Sequence, residues 1–247
     1  MPSNPEFPVY FEVQPPPHLA GSLECLWIMR PGWAPAVTHR VFPDGCADIL
    51  FTAGPCRRSL QLVGPMTRFQ DFQIPSRQLL VGARFHPGMW VPQIDTSGSL
   101  LTDQMPLLED FWGQRARTLL SRLAEATTPE RCISLLAESI RNGHAPTPLQ
   151  RALAWMRVRH GSVSLDEIAN QAGFSPRQFR RLCLQQTGLS PKLLARIQRF
   201  RLALSQVRAN AGRHAHLAAD CGYFDQSHLI SEFQRFSGRT PADFLAG

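Results

Sequence analysis

The sequence predicts an α+β chain: an N-terminal antiparallel β barrel or sandwich with trailing helices, then an all-helical domain of two helix-turn-helix units joined by a long helix. Three observations carry this. Short apolar runs separated by turn residues fill residues 23–85. From about Leu100 onward apolar residues recur at threes and fours. The pattern of residues 168–191 then returns about fifty positions later.

Residues 1–20 hold Pro2, Pro5, Pro8, Pro15, Pro16 and Pro17, and their composition predicts extended chain. The apolar runs Leu23–Arg30, Val37–Phe42, Ala47–Thr52, Leu60–Val63, Phe69–Ile74 and Leu79–Phe85 follow. Pro31-Gly32, Pro43-Asp44-Gly45, Gly54-Pro55, Gly64-Pro65, Pro75-Ser76 and Pro87-Gly88 separate or end them, which predicts antiparallel strands. Leu107, Leu108, Phe111 and Trp112, then Leu119, Leu120 and Leu123, mark helices. Another follows Thr128-Pro129, with Cys132, Leu135, Leu136 and Ile140 on one face. These faces exceed what one helix buries alone, so they pack on the sheet, on each other or on a second copy. Gly143, Pro146 and Pro148 then break the periodicity. We therefore divide the chain into a β-rich part at 1–141, a linker at 142–148 and a helical part at 149–247.

Net charge is +7, and its distribution is uneven. Residues 149–247 carry 14 Lys+Arg against 6 Asp+Glu, while residues 1–148 carry 12 against 13. Basicity confined to one part points to a polyanion partner there. Lys192 is the only lysine, and arginine suits bidentate contacts to phosphate and guanine. A GC-rich genome also raises the Arg/Lys ratio, but it does not explain the asymmetry. No apolar run approaches a membrane span, and the N-terminus lacks signal-peptide character, so a cytoplasmic location and no membrane partner are expected. Cysteines 25, 46, 56, 132, 183 and 221 form no Cys-x-x-Cys pair, so neither a disulfide framework nor structural zinc is expected. Cys183 and Cys221 read as small core residues.

Within residues 164–188, Ser164 with Glu167 predicts a capping box and a helix from Leu165. Gly173 supplies the left-handed residue that stops it. Ser175, Pro176 and Gln178 start a second helix. Phe179, Leu182 and Cys183 share one face of that helix, while Arg177, Arg181 and Leu184 point away, flanked by Arg180 and Gln185. A long helix over 191–208 follows. Ile168-Ala169 with Gly173-Phe174 then matches Leu217-Ala218 with Gly222-Tyr223, an offset of 49. Phe179, Gly188 and Pro191 match Leu229, Gly238 and Pro241, an offset of 50. The second unit has Asp225 as its N-cap and a helix over 226–237. Two such units in tandem are far more specific than one.

On these residues, 149–247 resembles the DNA-binding domain of AraC/XylS-type transcription regulators. The resemblance rests on Ile168-Ala169…Gly173-Phe174-Ser175, Phe179-Arg180-Arg181, Gly188-Leu189-Ser190-Pro191 and Phe233…Gly238…Pro241. It implies double-stranded DNA as partner, with a recognition helix of each unit in successive major grooves. It also implies transcription activation, RNA polymerase as a further partner, and no enzymatic activity or cofactor. The implied DNA contacts are Arg177, Gln178, Arg180, Arg181 and Gln185 in the first unit, and Gln226, Ser227, His228, Ser231 and Arg235 in the second. Ser231 stands where the family usually has arginine, so the first unit is expected to supply most sequence discrimination. Residues 43–51 and 81–88 resemble, less specifically, the β-rich domain of one group of these regulators. That implies effector sensing or homodimerisation.

For a small-molecule effector we single out Trp27, Trp33, Arg84, Phe85 and Trp90 as pocket residues, each aromatic having a core role as its plain alternative. His39, Asp44, Cys46, Asp48 and His86 have residue types used in catalysis or metal binding. Nothing in their spacing demands either. The competing reading is a small-molecule- or protein-binding module whose DNA binding is degenerate. An alkyl-transfer DNA-repair protein is disfavoured by the cysteine spacing.

Overall fold

The computed structural model describes residues 8–30, 32, 36–55, 57–141, 145–209 and 214–246. Trp33 and residues 142–144 of the expected linker lie outside them. The described strands are β1 (Val9–Val13), β2 (Leu23–Arg30), β3 (Val37–Val41), β4 (Ala47–Ala53), β5 (Arg58–Val63), β6 (Gln70–Ile74) and β7 (Leu79–Phe85). They form a five-stranded antiparallel sheet in the order β1-β2-β7-β4-β5 and a separate β3-β6 ribbon. The two sheets are not joined by strand pairing among the described residues, so the architecture is an open sandwich and not a closed barrel. β1 lies in the proline-rich segment expected to be merely extended. Its Val-Tyr-Phe-Glu-Val run is a good edge strand, and the flanking prolines stand outside it.

Strand alternation divides the side chains between two layers. Leu26 and Ile28 of β2, with Val81, Ala83 and Phe85 of β7, enter the main core. Cys25, Trp27 and Met29 turn the other way and meet Ile74 of the ribbon. Gly82 is needed where Trp27 crosses it: a Cβ there would lie 2.2 Å from the indole ring. A β-bulge between Leu23 and Cys25 leaves Glu24 without a partner on β7.

Short helices α1 (Val91–Ile94) and α2 (Glu109–Trp112) precede α3 (Gln114–Glu125) and α4 (Pro129–Ser139). The apolar faces of α3 and α4 close the main core against β2, β5 and β7 and against each other. A second core runs from Leu149 to Phe236 through α5 (Pro148–Val158), α6 (Leu165–Ala172), α7 (Pro176–Thr187), α8 (Pro191–Gln206), α9 (His214–Asp220) and α10 (Gln226–Ser237). α11 (Pro241–Ala246) ends the described chain. Cys183 and Cys221 are both fully buried in this second core. No described helix is long and apolar enough to cross a membrane.

Candidate nucleic-acid interface

The first unit is built as its sequence dictates. Ser164 Oγ accepts from the Glu167 N–H at 3.2 Å, and the Glu167 carboxylate accepts from the Ser164 N–H at 2.7 Å. Those bonds to Ser164 hold the Glu167 carboxyl below the usual carboxylate range. Gly173 takes φ +71°, and the Phe174 N–H returns to the Ala169 carbonyl at 2.9 Å, closing α6. Ser175 caps α7 through the Gln178 N–H at 3.2 Å, with Pro176 in the first turn. The Gln178 side chain does not complete a reciprocal box and stays exposed.

Phe179 and Cys183 are fully buried, which fixes the rotation of α7 and turns Arg177, Arg180 and Arg181 to solvent. Among the described residues no carboxylate pairs with these three. Arginines of α8 contrast with them. Arg196 forms a two-point pair with Glu232 at 2.6 Å, Arg199 donates to the Gly161 carbonyl, and Arg201 meets Glu24 at 2.8 Å. Arg196, Arg199 and Arg201 of α8 are thus structural, while Arg177, Arg180 and Arg181 of α7 are unneutralised. A recess of about 380 Å³ beside α7 is walled by Arg180, Lys192 and Arg199 and by Ser164 and Ser190, the N-caps of α6 and α8. Much of its lining is apolar (Met156, Val163, Leu165, Ile168, Pro191 and Ala195), with Arg180 and Lys192 at its rim. Lys192 and Arg199 were not among the expected contacts; the signal for Lys192 was its place just behind the Ser190-Pro191 start signal.

The second unit repeats the geometry. Gly222 takes φ +71°, and the Tyr223 N–H returns to the Ala218 carbonyl at 2.9 Å. Asp225 caps α10 through the His228 N–H at 2.7 Å. The match extends to the helix ends. Thr187 Oγ donates to the Cys183 and Leu189 carbonyls, and Ser237 Oγ donates to those of Phe233 and Arg239, fifty residues on. Gln226, Ser227, Ser231 and Arg235 are exposed as expected. His228, expected at the entry end of the helix, is half-buried, meets Tyr223 edge-on at 5.3 Å, and accepts from the Phe224 N–H through Nδ1. That bond braces the turn. Phe224, which sequence reading passed over, stands 93% exposed beside the α10 cap.

The expected pocket residues do not share one site. Phe85 and Trp90 are fully buried in the main core. Trp27 and Arg84 lie on the opposite sheet face, because neighbouring residues of a strand point to opposite sides. Arg84 is already engaged, 3.3 Å from Asp44 and 3.3 Å from Asp48, while Trp27 Nε1 donates to Asp48 at 3.4 Å. Burial pushes the Asp48 carboxyl above its ordinary range, against the pull of Arg84. Glu24, Asp44 and Cys46 bring three donor atoms within 4.8 Å of one another, but Arg201 and Arg84 hold the two carboxylates. Burial raises the Cys46 thiol well above its usual range, the opposite of what activates a cysteine nucleophile. His39 lies apart from this group, on the β3-β6 ribbon.

Residues 168–247 match a family model described as a helix-turn-helix domain, and residues 11–106 match a domain of unknown function, DUF6597. The HTH-type transcriptional activator RhaS of Escherichia coli O157:H7 is 30% identical over 115 residues, 46% of this chain and 41% of that protein. The chain therefore spans less than half the length of this relative. An AraC-type DNA-binding-domain regulator from Chromobacterium violaceum is 25% identical across 40% of this chain and 89% of that one, with a TM-score of 0.38. ToxT from Vibrio cholerae O395 is 10% identical across 89% of this chain and 95% of that one, with a TM-score of 0.42.

Proposed function

We propose that this chain, whose residues 168–247 form a helix-turn-helix domain of the AraC/XylS type, is a sequence-specific transcriptional regulator that reads DNA chiefly through α7. The observation that carries the reading is the set of three exposed, unneutralised arginines on the first turns of α7, set against structural arginines elsewhere in the same domain. Arg177, Gln178, Arg180 and Arg181 reach base edges or flanking phosphates. Lys192, at the rim of the recess beside α7, meets a flanking phosphate. Gln226, Ser227, Ser231 and Arg235 place the second unit on the duplex, and the short Ser231 on its outward face makes that unit the weaker reader. Gln185 lies near the end of α7 that faces the β domain, away from the base-reading turns. The protein is non-enzymatic, acts in the cytoplasm, and activates transcription through contact with RNA polymerase. An anionic effector reaching Arg84 would have to displace Asp44 and Asp48 from it and so act on the β domain; a homodimer is the other role open to that domain.

The test is binding of the full chain and of Arg177→Ala and Arg181→Ala to a panel of duplexes altered one base pair at a time. A lost base reader relaxes preference at one position by about 1–3 kcal/mol. A lost phosphate contact weakens all duplexes alike and lowers the salt slope by about one. Scrambling the half-site under α7 should cost more than scrambling the one under α10; equal losses would refute the asymmetry. A full chain with no preference among duplexes at moderate salt would leave the degenerate-binding reading in its place.

A further inference from the structure

We propose that the β domain is a splint that fixes the spacing of the two recognition helices, with Thr102 and Arg40 as its positioning residues at the C-terminal ends of α7 and α10. This rests on the DNA-binding reading above. α7 ends at Gly188 and α10 at Gly238, each with φ +75°, and the two glycines are the same position of the internal repeat. The β domain reaches both ends. Thr102 Oγ donates to the Gly188 carbonyl at 2.8 Å, and Ser97 Oγ donates to the Gln185 carbonyl at 3.5 Å. Backbones meet so closely there that a Cβ on Gly98 would fall 2.4 Å from the Gly188 nitrogen. At the other end Arg40 Nη1 donates to the Ser237 carbonyl at 3.1 Å. The same guanidinium is held by Asp71 at 2.7 Å through two bonds and lies 4.3 Å over the Phe69 ring. A Cβ on Gly238 would fall 2.7 Å from that ring.

Between these two points the β domain also holds α8, through Glu24 to Arg201 at 2.8 Å and through the Asp44 carbonyl to Gln198 at 3.2 Å. Gripping the C-terminal ends suits both chemistry and access. The last carbonyls of a helix have no partner within it, so hydroxyl and guanidinium donors satisfy them, and a cation is favoured at that pole. The opposite ends, whose first turns enter the groove in this kind of unit, are left clear. Without the splint the two recognition helices are joined only within the helical domain, chiefly through α8, on which each packs, with the turn at Gly222 also lying against Ser162. One extra base pair between half-sites moves them apart by about 3.4 Å and turns one by about 34°. A pair held at both ends cannot follow that change; a pair pivoting on α8 can.

The experiment selects binding sites for the full-length wild type and for Arg40→Ala/Thr102→Val from a duplex library with a random 30-base-pair centre. The spacing between the two recovered half-sites is then read. Wild type should return one spacing. The double variant should return that spacing and its one-base-pair neighbour, with the relative affinity for the longer site rising about tenfold, the equivalent of two net hydrogen bonds. Thr102→Ser should restore the single spacing on the Arg40 wild-type background, and Thr102→Val should not. An unchanged single spacing in a variant that melts cooperatively overturns the splint, even if overall affinity has fallen, because mere packing loss weakens all spacings alike. If the double variant does not melt cooperatively, Thr102→Val alone gives the same readout. A wild type that enriches no sequence overturns the DNA-binding reading and the splint with it; one that enriches two-part sites of several spacings overturns the splint alone.

Discussion

His86 sits beside the seam between the two parts, its Nδ1 buried without a hydrogen-bond partner. Burial lowers its pKa to about 4; Arg157 of α5 and Arg201 of α8 push the same way, while Glu24 of β2 and a bond with the Ala20 backbone pull it back up. An imidazole depressed in the folded state stays neutral there while the unfolded chain takes up a proton. Its contribution to stability is therefore whole above the ordinary histidine range and is lost as pH falls from about 6.5 to about 4. Asp48, raised by burial, acts in the opposite sense over the upper carboxylate range. The total slope is thus a sum, and a difference isolates one residue. Urea melts of wild type and His86→Gln across pH 4–7 should show a shallower acid loss in the variant. Parallel curves would remove His86 from the account. Alternation along the predicted strand separates Arg84 from Phe85, but nothing local in the sequence shows that Arg157 of α5, Arg201 of α8 and Glu24 of β2 gather around His86.

At the level of elements the sequence was most legible where local chemistry decides. The three described helix starts of the two units each have a short side chain meeting a backbone N–H three residues on, so Ser164, Ser175 and Asp225 could be read directly. Strands β2 and β7 likewise match their apolar runs end to end. β1 was hidden because it is five residues long and framed by prolines, which dominate composition without entering the strand. The Glu24 bulge was hidden too, because a bulge depends on the partner strand. The second unit leans on its cap more than the first. Asp225 alone fixes the start of α10, which has no proline in its first turn, and the neighbouring His228 is braced by the same turn. Asp225→Ala should cost about 1 kcal/mol. Hydrogen exchange should show that loss in the first turn of α10 and leave α7 unaffected; protection lost equally in both helices would mean the units share one cooperative cap.

The whole molecule is less divided than its charge suggests. Composition separates a basic helical part from a nearly neutral β part, and the two main cores fall on either side of residues 141–148. Yet Phe42, just beyond β3, packs against the helical core and not its own. Its ring meets Phe200 of α8 and Phe244 of α11 edge-on, each at 6.1 Å, and Phe200 in turn meets Phe233 and Phe236 at 5.4 Å. Aromatic contacts between residues so far apart in sequence leave no local pattern, which is why this seam could not be foreseen. The consequence is thermodynamic. An aromatic carried by the β part and packed into the helical core couples the unfolding of the two, so the full chain should melt in one calorimetric transition. Phe42→Ala removes a half-buried ring and should cost about 3 kcal/mol, the lower end for such truncations. Because the cost falls on the seam, the variant should melt in two transitions, the helical part moving to lower temperature while the β part, whose core lies behind the sheet, stays near its original position. A single transition at an unchanged temperature would show that Phe42 merely fills surface space. A single transition shifted downward would instead place enough coupling in Glu24–Arg201, Thr102–Gly188 and Arg40–Ser237 to hold the two parts together without it.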